Sequence, residues 1–264
     1  MANTALPRTC YPPQLWMWAG RSIYIGPSLG LDPRSGSVAC LAVAAGGTFD
    51  IRWEEGTVTG LRSALIPPRL THQVIATSDR MAFCFFDPSS AWHRGCRVAM
   101  TQTHDPITYQ HTDEASLIHN ADSLRTAQQA SEWLDIAAGP LPHDISEPTC
   151  DPRITAAVSA LHHLDPHQRQ SAGELAELVG LSSSRFLHVF HDQTGTTLRR
   201  YRLWLRMLRA AALLSDTADL TAAAAEAGFA SPSHLTSSFH TMFGLPPSRL
   251  RGTTIHVIPP DTGW

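Results

Sequence analysis

A seven-residue pattern that occurs twice in the C-terminal half constrains the fold of this chain more than any other feature. Val189 to Gly195 reads VFHDQTG and Ser238 to Gly244 reads SFHTMFG, so Phe-His-x-x-x-Gly recurs at a fixed spacing. Matched apolar and glycine positions at a period of roughly 20–50 residues are typical of a duplicated supersecondary unit. The chain is therefore predicted to contain the same local fold twice.

Each copy of the pattern lies at the end of a predicted unit that consists of a helix, a glycine turn and a second helix. The predicted helices are 174–179 and 183–194 around Gly180, and 221–227 and 232–243 around Gly228. Ser182 and Ser231 suit the N-caps of the second helices, because their short hydroxyl groups can accept a hydrogen bond from a free first-turn N–H. Thr221 is the predicted N-cap of the helix before Gly228. The glycines that end the two patterns suit helix C-termini in the left-handed conformation.

One long arginine-bearing helix, Leu198 to Leu214, is predicted to join the two units. Its apolar residues recur every three or four positions and predict one buried stripe: Leu198, Tyr201, Leu205, Leu208 and Ala212. A helix-turn-helix presents its second helix as a rod that fits the DNA major groove. Two such units joined by one helix indicate DNA binding far more specifically than a single helical hairpin does.

The formal net charge of −3 conceals an uneven distribution. Residues 151–252 hold ten arginines against eight acidic residues, whereas residues 1–150 hold ten against fourteen. Five of the arginines fall between Arg199 and Arg209. The C-terminal region is the more basic one, although an excess of this size also fits an ordinary solvated surface.

Targeting signals are not apparent in the sequence. No apolar run approaches the roughly 20 residues of a membrane span, and the first residues lack a basic and then apolar secretory pattern. We therefore expect a cytoplasmic protein that has no membrane partner.

The N-terminal region has the composition of a strand-rich domain. Short alternating runs broken by Gly and Pro continue to about residue 110, and in FDIRW the side chains Phe49, Ile51 and Trp53 share one face. These runs predict a small β-barrel or sandwich. The predicted organisation is α+β in two domains: a barrel at 1–118, a helix (Asn120 to Ala138) and Pro-rich linker within 119–150, a helical domain at 151–252, and a tail at 253–264.

Residues 151–251 resemble the AraC/XylS family of bacterial transcription regulators. The resemblance is carried by DPRI at Asp151, LAELVGLSSSRFLHVFHDQTG, the helix that contains Arg206, Ala210 and Leu214, and AGFASPSHLTSSFHTMFGLPPSRLR. It implies a seven-helix DNA-binding domain without catalytic residues, whose recognition helices at about 183–194 and 232–243 enter successive major grooves. Ala223 and the pair His234-Leu235 depart from the family pattern.

The resemblance also implies which side chains face DNA. They are Ser183, Ser184, Arg185, Leu187 and His188 in the first recognition helix, and Ser233, His234, Thr236 and Ser237 in the second. Arg185 is expected to reach a guanine edge or a phosphate, because its planar fork can bond to either through two N–H groups; the alternative is a solvated surface arginine. Arg199 and Arg200 are expected to add general attraction to the DNA backbone. For His191 and His240, phosphate contact and simple exposure stay open.

The segment SALIPPRLTHQV, residues 63–74, resembles less specifically the cupin-like sensory domain that often precedes this DNA-binding unit. Metal-binding cupins use an HxH pair, which is absent from the preceding TFDIRWEEG, so no metal or other cofactor is expected. His72 is interpreted as a pocket or turn histidine. Trp53 is interpreted as a core residue that can also line an effector pocket. These two are the ligand-binding candidates.

Two functions from different classes follow from these features. The first is a promoter-binding regulator that binds double-stranded DNA, senses a small-molecule effector and forms a homodimer through the predicted 120–138 helix. The alternative is a cupin-type metal or thiol enzyme or sensor with an accessory helical domain. Its candidates are Cys96, which lies between Arg94 and Arg97, and the histidines His104, His111 and His119.

Overall fold

The computed structural model describes residues 12–18, 20–121, 123–139, 150–164, 168, 170–217, 219–250 and 252–258. Strands dominate the N-terminal region and helices the C-terminal region, which confirms the predicted α+β class. Residues 140–149, most of the predicted linker, lie outside the described residues. Among the described helices none is long and apolar enough to cross a membrane.

Two sheets form the N-terminal domain. An eight-stranded sheet has the order β10-β11-β7-β4-β9-β2-β1-β12, and a four-stranded sheet has the order β3-β8-β5-β6. The strands are β1 Gln14–Trp18, β2 Arg21–Pro27, β3 Arg34–Ser35, β4 Ala39–Ala44, β5 Phe49–Trp53, β6 Gly56–Leu61, β7 Ser63–Ile66, β8 Thr71–Ala76, β9 Arg80–Phe86, β10 Met100–His104, β11 Ile107–His111 and β12 Thr254–Val257.

Strand β4 is buried along its whole length because both of its faces are covered. Cys40 and Ala42 belong to the core that the two sheets share with the C-terminal helices. Leu41 and Val43 belong to a second core beneath three helices, which are α1 Ala91–Val98, α2 Glu114–Ala121 and α3 Ala127–Ala138. A strand buried on both faces reads as a continuous apolar run, which is how VACLAVAA appears in the sequence.

The single helix predicted from Asn120 to Ala138 is two helices in the structure. Helix α2 ends at Ala121, and α3 starts only after Thr126. The Thr126 hydroxyl accepts a hydrogen bond from the Gln129 N–H, and the Gln129 side chain accepts one from the Thr126 N–H. This reciprocal cap places the helix start at residue 127, where apolar spacing alone is uninformative.

The C-terminal domain consists of α4 Pro152–His163, α5 Ala172–Leu178, α6 Ser183–Thr194, α7 Leu198–Thr217, α8 Leu220–Glu226, α9 Pro232–Phe243 and a short 3₁₀ helix at Pro247–Leu250. Ser182 and Ser231 cap α6 and α9 as predicted, and both helices end in a left-handed glycine. The predicted cap Thr221 is wrong. Asp219 caps α8 instead, because its carboxylate accepts hydrogen bonds from the N–H groups of residues 221 and 222.

The predicted tail contains a strand of the N-terminal sheet. β12 pairs in parallel with β1, in the register Gln14 with Thr254. The imidazole of His256 stacks on Trp16 with ring centroids 5.3 Å apart, and its Nε2 lies 2.7 Å from Oε1 of Gln14. The chain therefore returns to its first strand after completing the helical domain.

Candidate DNA-binding surface and interdomain cavity

Helix α6 exposes the face that the sequence predicted to meet DNA. Phe186 and Phe190 are fully buried and turn α6 toward the core, with ring centroids 5.8 Å apart. The opposite side of the helix faces outward, and Ser183, Ser184, Arg185, Leu187 and His188 are all exposed. Leu187 on this face is 43% exposed.

Helix α9 has the same construction with a less charged face. Leu235 and Phe239 are buried, Ser233, His234 and Ser237 are exposed, and Thr236 is half-buried. The His234 ring lies edge-on to Phe229 at 5.4 Å, and its Nδ1 accepts a 3.4 Å hydrogen bond from the Ala230 N–H. The His234 ring therefore packs against the turn between α8 and α9 and forms a hydrogen bond with it.

The exposed basic side chains of α6 differ in whether another side chain lies close to them. His188 Nε2 lies 3.2 Å from Oδ2 of Asp192 one turn later, and both side chains are exposed. Arg185 is exposed and has no ion-pair partner among the described residues. Arg185 is thus the α6 cation that needs no rearrangement to meet a base or phosphate.

The two arginines predicted to attract DNA lie in different surroundings. Arg199 is exposed at the edge of a groove that is lined mainly by α4, α7 and the first helix-turn-helix unit. Arg200 is half-buried between the domains and donates to the Ser35 carbonyl at 2.5 Å, to Ser35 Oγ at 3.0 Å and to the Gly36 carbonyl at 3.3 Å. Burial, and then the nearby Arg69, lower the Arg200 pKa. Its contact with phosphate stays a prediction, and that contact requires the guanidinium to leave Ser35.

Both histidines of the repeated pattern contact the N-terminal domain. Arg69 Nη1 lies 2.6 Å from His191 Nε2, and His240 Nε2 lies 3.0 Å from Oδ2 of Asp32. The Asp32 N–H also donates to the Gly244 carbonyl at 2.9 Å. The recurring histidines therefore hold equivalent ends of α6 and α9 against the strand domain.

A buried carboxylate joins the two domains from the other side. Asp87 follows β9, and its Oδ2 accepts from the Tyr201 hydroxyl and lies 3.3 Å from His162 Nε2. Its Oδ1 accepts from the Ser89 N–H at 2.8 Å and from the Ser89 hydroxyl at 2.6 Å. Burial alone raises the Asp87 pKa, but hydrogen bonds from His162, Ser89 and Tyr201 outweigh it and leave the pKa lowered. The group is thus held as a carboxylate inside the interface.

An almost wholly apolar cavity of about 70 Å³ lies between the domains. Strands β1 and β9 contribute Leu15, Met17, Phe83 and Phe85 to its wall, and the segment between β2 and β3 contributes Leu29 and Leu31. Helices α7 and α9 contribute Met207, Leu208, Ala211, Phe239 and Phe243. Arg34, which is only 3% exposed, is the one charged side chain among the lining residues. Sequence reasoning missed Arg34, since DPRSG reads as an ordinary polar turn.

The predicted ligand residues lie beside Arg34, outside the cavity wall. Register pairs Arg34 with His72 and His72 with Trp53 across three neighbouring strands. Burial, and then the Arg34 charge, lower the His72 pKa to about 3. The imidazole is neutral, and its Nδ1 lies 2.9 Å from the Leu70 carbonyl oxygen. Ligand binding by His72 and Trp53 stays a prediction.

The features required by the alternative enzyme or sensor are dispersed. Burial raises the pKa of the Cys96 thiol, which disfavours the thiolate that a reactive cysteine needs. His104 is exposed and lies edge-on to Trp53, His111 is buried with Nε2 3.2 Å from the Ala137 carbonyl, and His119 is exposed on α2. No group of three or more metal-ligating side chains occurs within the part of the chain that the structure describes.

Sequence comparison decides the family of the C-terminal domain. A family model described as a helix-turn-helix domain matches residues 175–253, which include both helix-turn-helix units. The chain carries a DNA-binding domain of the AraC/XylS type at these residues. It is a DNA-binding transcription regulator. No curated protein sequence matches this regulator.

Solved structures show the same fold over most of the regulator. Ligand-free ToxT from Vibrio cholerae aligns with a TM-score of 0.55 at 10% identity, covering 87% of this chain and 96% of ToxT. Unsaturated fatty acid-bound ToxT from the same organism aligns at 0.50 with 12% identity, covering 86% and 92%. An AraC-type regulator from Chromobacterium violaceum is 29% identical over 38% of this chain and 91% of its own, with a TM-score of 0.35.

Proposed function

We propose that the regulator inserts α6 and α9 into successive major grooves on one side of a promoter duplex and responds to a small-molecule effector. The observation that carries the first part is the pair of capped second helices, each with an apolar face buried and a short polar face exposed. Between them runs α7, whose 20 residues span about 30 Å. That length is close to the roughly 34 Å between major grooves on one face of DNA.

The two recognition helices contribute unequally to sequence discrimination in this proposal. Arg185 offers α6 a bidentate contact to guanine, which typically discriminates by about 1–3 kcal/mol. Among the described residues, the exposed face of α9 carries only hydroxyl groups and His234, which suit phosphates and single base contacts. The α6 half of the site therefore carries most of the specificity.

The effector part of the proposal rests on the interdomain arrangement. The strand domain is held to both recognition helices through His191 and His240, so a molecule that changes this contact changes how the helices are presented. ToxT, which shares the fold, has been crystallised with an unsaturated fatty acid. The regulator has a cavity bordered by both domains, and a small molecule can bind there as well.

The regulator is further proposed to act as a cytoplasmic homodimer without catalytic activity. A second copy doubles the number of half-sites and matches a two-fold operator. The outward side of α3 offers Gln128, Glu132 and Asp135, so a dimer formed through this helix has a polar interface. Sedimentation of the purified protein at several concentrations tests this, and a concentration-independent monomer contradicts it.

The test of DNA recognition is a binding titration with the intergenic DNA beside the protein's own gene. Random duplex serves as competitor and the salt concentration is varied, because phosphate contacts weaken with salt. Arg185→Ala is expected to lose roughly 1–3 kcal/mol on the specific site and much less on random duplex. Arg52→Ala, an exposed arginine of β5, is the matched control and should bind as the wild type does.

Two results contradict the proposal. Equal losses on specific and random duplex for Arg185→Ala indicate that this residue contacts only phosphate. Absence of competitor-resistant binding, both with and without a cell-extract fraction of small molecules, removes the promoter-binding role.

A further inference from the structure

We propose that a groove beside α7 binds a soluble organic phosphate, whose phosphate groups lie along a row of arginines and whose apolar part packs on leucines. The groove is separate from the interdomain cavity, and only the regulatory consequence of binding there rests on the proposed function.

Four of the five arginines of α7 lie along this groove. Arg199, Arg202, Arg206 and Arg209 line it, whereas Arg200 contacts the strand domain. Successive steps of three, four and three residues place the four side chains on one face of the helix. Between Arg199 and Arg209 the helix rises about 15 Å. The row is therefore long enough to contact more than one phosphate group.

The described lining of the groove offers this row no carboxylate. Neither aspartate nor glutamate occurs among the described residues that line it. Arg202 donates to the Gln170 carbonyl at 2.5 Å, and Arg206 donates to the Gly228 carbonyl at 3.1 Å. Carbonyl oxygens accept hydrogen bonds but carry no net charge, so they leave the charge of the arginines in place. Phosphate supplies both negative charge and oxygens that match the guanidinium fork.

Arg199 and Arg202 are the two arginines best placed to contact a ligand. Arg199 is exposed, so its guanidinium can turn into the groove without breaking a packed contact. Arg202 is half-buried, and its Nε is buried without a hydrogen-bond partner among the described residues. Burial, and then the nearby Arg206, lower the Arg202 pKa, yet an arginine keeps its charge inside a protein. An anion beside Arg202 therefore relieves both an unmet donor and the repulsion between neighbouring cations.

The rest of the groove favours a compact ligand over the DNA backbone. Its volume is about 600 Å³, within the roughly 300–1,000 Å³ that small-molecule sites occupy. A phosphodiester backbone needs neither a concavity of this size nor an apolar wall. Five leucines supply such a wall, namely Leu161, Leu164, Leu187, Leu198 and Leu205.

The position of the groove connects a bound phosphate to DNA recognition. Leu187 lies on the exposed face of α6, and Gly228 lies in the turn before α9. A ligand in the groove places negative charge beside the first recognition helix and neutralises part of the row. Because DNA is held largely by attraction to its phosphates, an organic phosphate bound here is expected to weaken DNA binding.

The experiment is calorimetric titration of the DNA-free full-length protein at physiological ionic strength without divalent cations. The probes are adenosine diphosphate and its two separate parts, adenosine and inorganic pyrophosphate. Adenosine diphosphate is expected to bind, and each part alone to bind at least roughly tenfold more weakly, because each part uses only one side of the groove.

Variants at exposed positions test the two sides of the groove without disturbing the core. Arg199→Gln should weaken adenosine diphosphate roughly tenfold, since a charged hydrogen bond is lost. Leu187→Ala should weaken it roughly three- to tenfold and leave pyrophosphate unchanged, because only apolar contact is removed. Arg52→Gln is the matched control for loss of one exposed positive charge and should leave every affinity unchanged.

A second titration distinguishes the soluble ligand from the DNA backbone. Arg202→Gln should weaken adenosine diphosphate roughly 10- to 100-fold and leave the salt dependence of binding to random duplex unchanged. If the slope of log affinity against log salt concentration instead falls by about one, while the affinity for adenosine diphosphate is unaffected, the row holds the DNA backbone and the proposal is overturned.

Three other results overturn it as clearly. These are no binding of adenosine diphosphate, an equal affinity for adenosine diphosphate and either of its parts, or unchanged affinity in both arginine variants. Because the first titration contains no DNA, a failure of promoter recognition does not affect its result. The two proposals can therefore fail independently.

Discussion

The carboxylate that joins the domains allows a quantitative test of how the closed arrangement is stabilised. Oδ1 of Asp87 accepts hydrogen bonds from Ser89 within the strand domain. Oδ2 accepts one from the Tyr201 hydroxyl and contacts His162, both in the helical domain. Asp87→Asn can keep the Oδ1 contacts while placing an NH₂ group opposite two donors. Tyr201→Phe removes only the hydroxyl on the helical side. Together the two substitutions form a double-mutant cycle across the interface.

The expected magnitude follows from burial. Asp87 is 5% exposed and Tyr201 is fully buried, so solvent screening is weak. A hydrogen bond to a charged acceptor contributes about 1.5–3 kcal/mol, and breaking a buried charge interaction costs about 3–5 kcal/mol. We expect Tyr201→Phe to lower the free energy of unfolding by about 1.5–3 kcal/mol and Asp87→Asn by about 3–5 kcal/mol. The coupling energy is expected to be about 1.5–3 kcal/mol.

Urea-induced unfolding followed by circular dichroism measures these values, with the slope checked for constancy among variants. Ser89→Ala is the matched control, because it removes a hydrogen bond to the other oxygen of the same carboxylate. Its effect should be the same in the Tyr201 and Phe backgrounds. If Asp87→Asn and Tyr201→Phe are additive within about 0.5 kcal/mol, the interdomain hydrogen bond does not stabilise the closed arrangement.

Two further predictions concern pH and a backbone turn. The folded pKa of Asp87 lies below its ordinary value of 3.8, so its contribution is fully present above that pH and is lost as pH falls through the folded value. The urea midpoints of wild type and Asp87→Asn should therefore converge only below about pH 4, and convergence near neutral pH contradicts this. At Gly244, φ is +75° and an added Cβ would lie 2.5 Å from the Asp32 carbonyl oxygen, whereas Gly180 has φ of +67° and open space around the added Cβ. Gly180→Ala should cost about 1–2 kcal/mol from backbone strain alone, and Gly244→Ala clearly more; equal urea midpoints contradict the close approach to Asp32.

The helix-turn-helix units of the helical domain were predictable to within a residue or two, and the end of α7 to within three. Ser182, Ser231, Gly195 and Gly244 act within their own turns, so their letters identify where α6 and α9 begin and end. The same spacing predicted which faces are buried, because helical periodicity is a local property. Where a local signal was misread, as at Thr221, the true cap lies two residues away.

The contacts between the domains were not predictable in this way. Tyr201 and Asp87 are 114 positions apart, Arg200 and Ser35 are 165 apart, and His240 and Asp32 are 208 apart. No periodicity or short motif reports on such pairs. The repeated histidines were visible as a pattern, but their partners became known only from the fold.

The sequence by itself determined that this protein has two capped helix-turn-helix units with polar outer faces, because capping, turn chemistry and apolar spacing operate within a few residues. Tertiary structure alone decided that the final strand returns to the first sheet, that both repeated histidines bind the strand domain, and that Arg34 is buried at a cavity. The physical reason is that burial and pairing depend on which distant segments pack together. An arginine in a polar turn has the same sequence signature whether it faces water or the core.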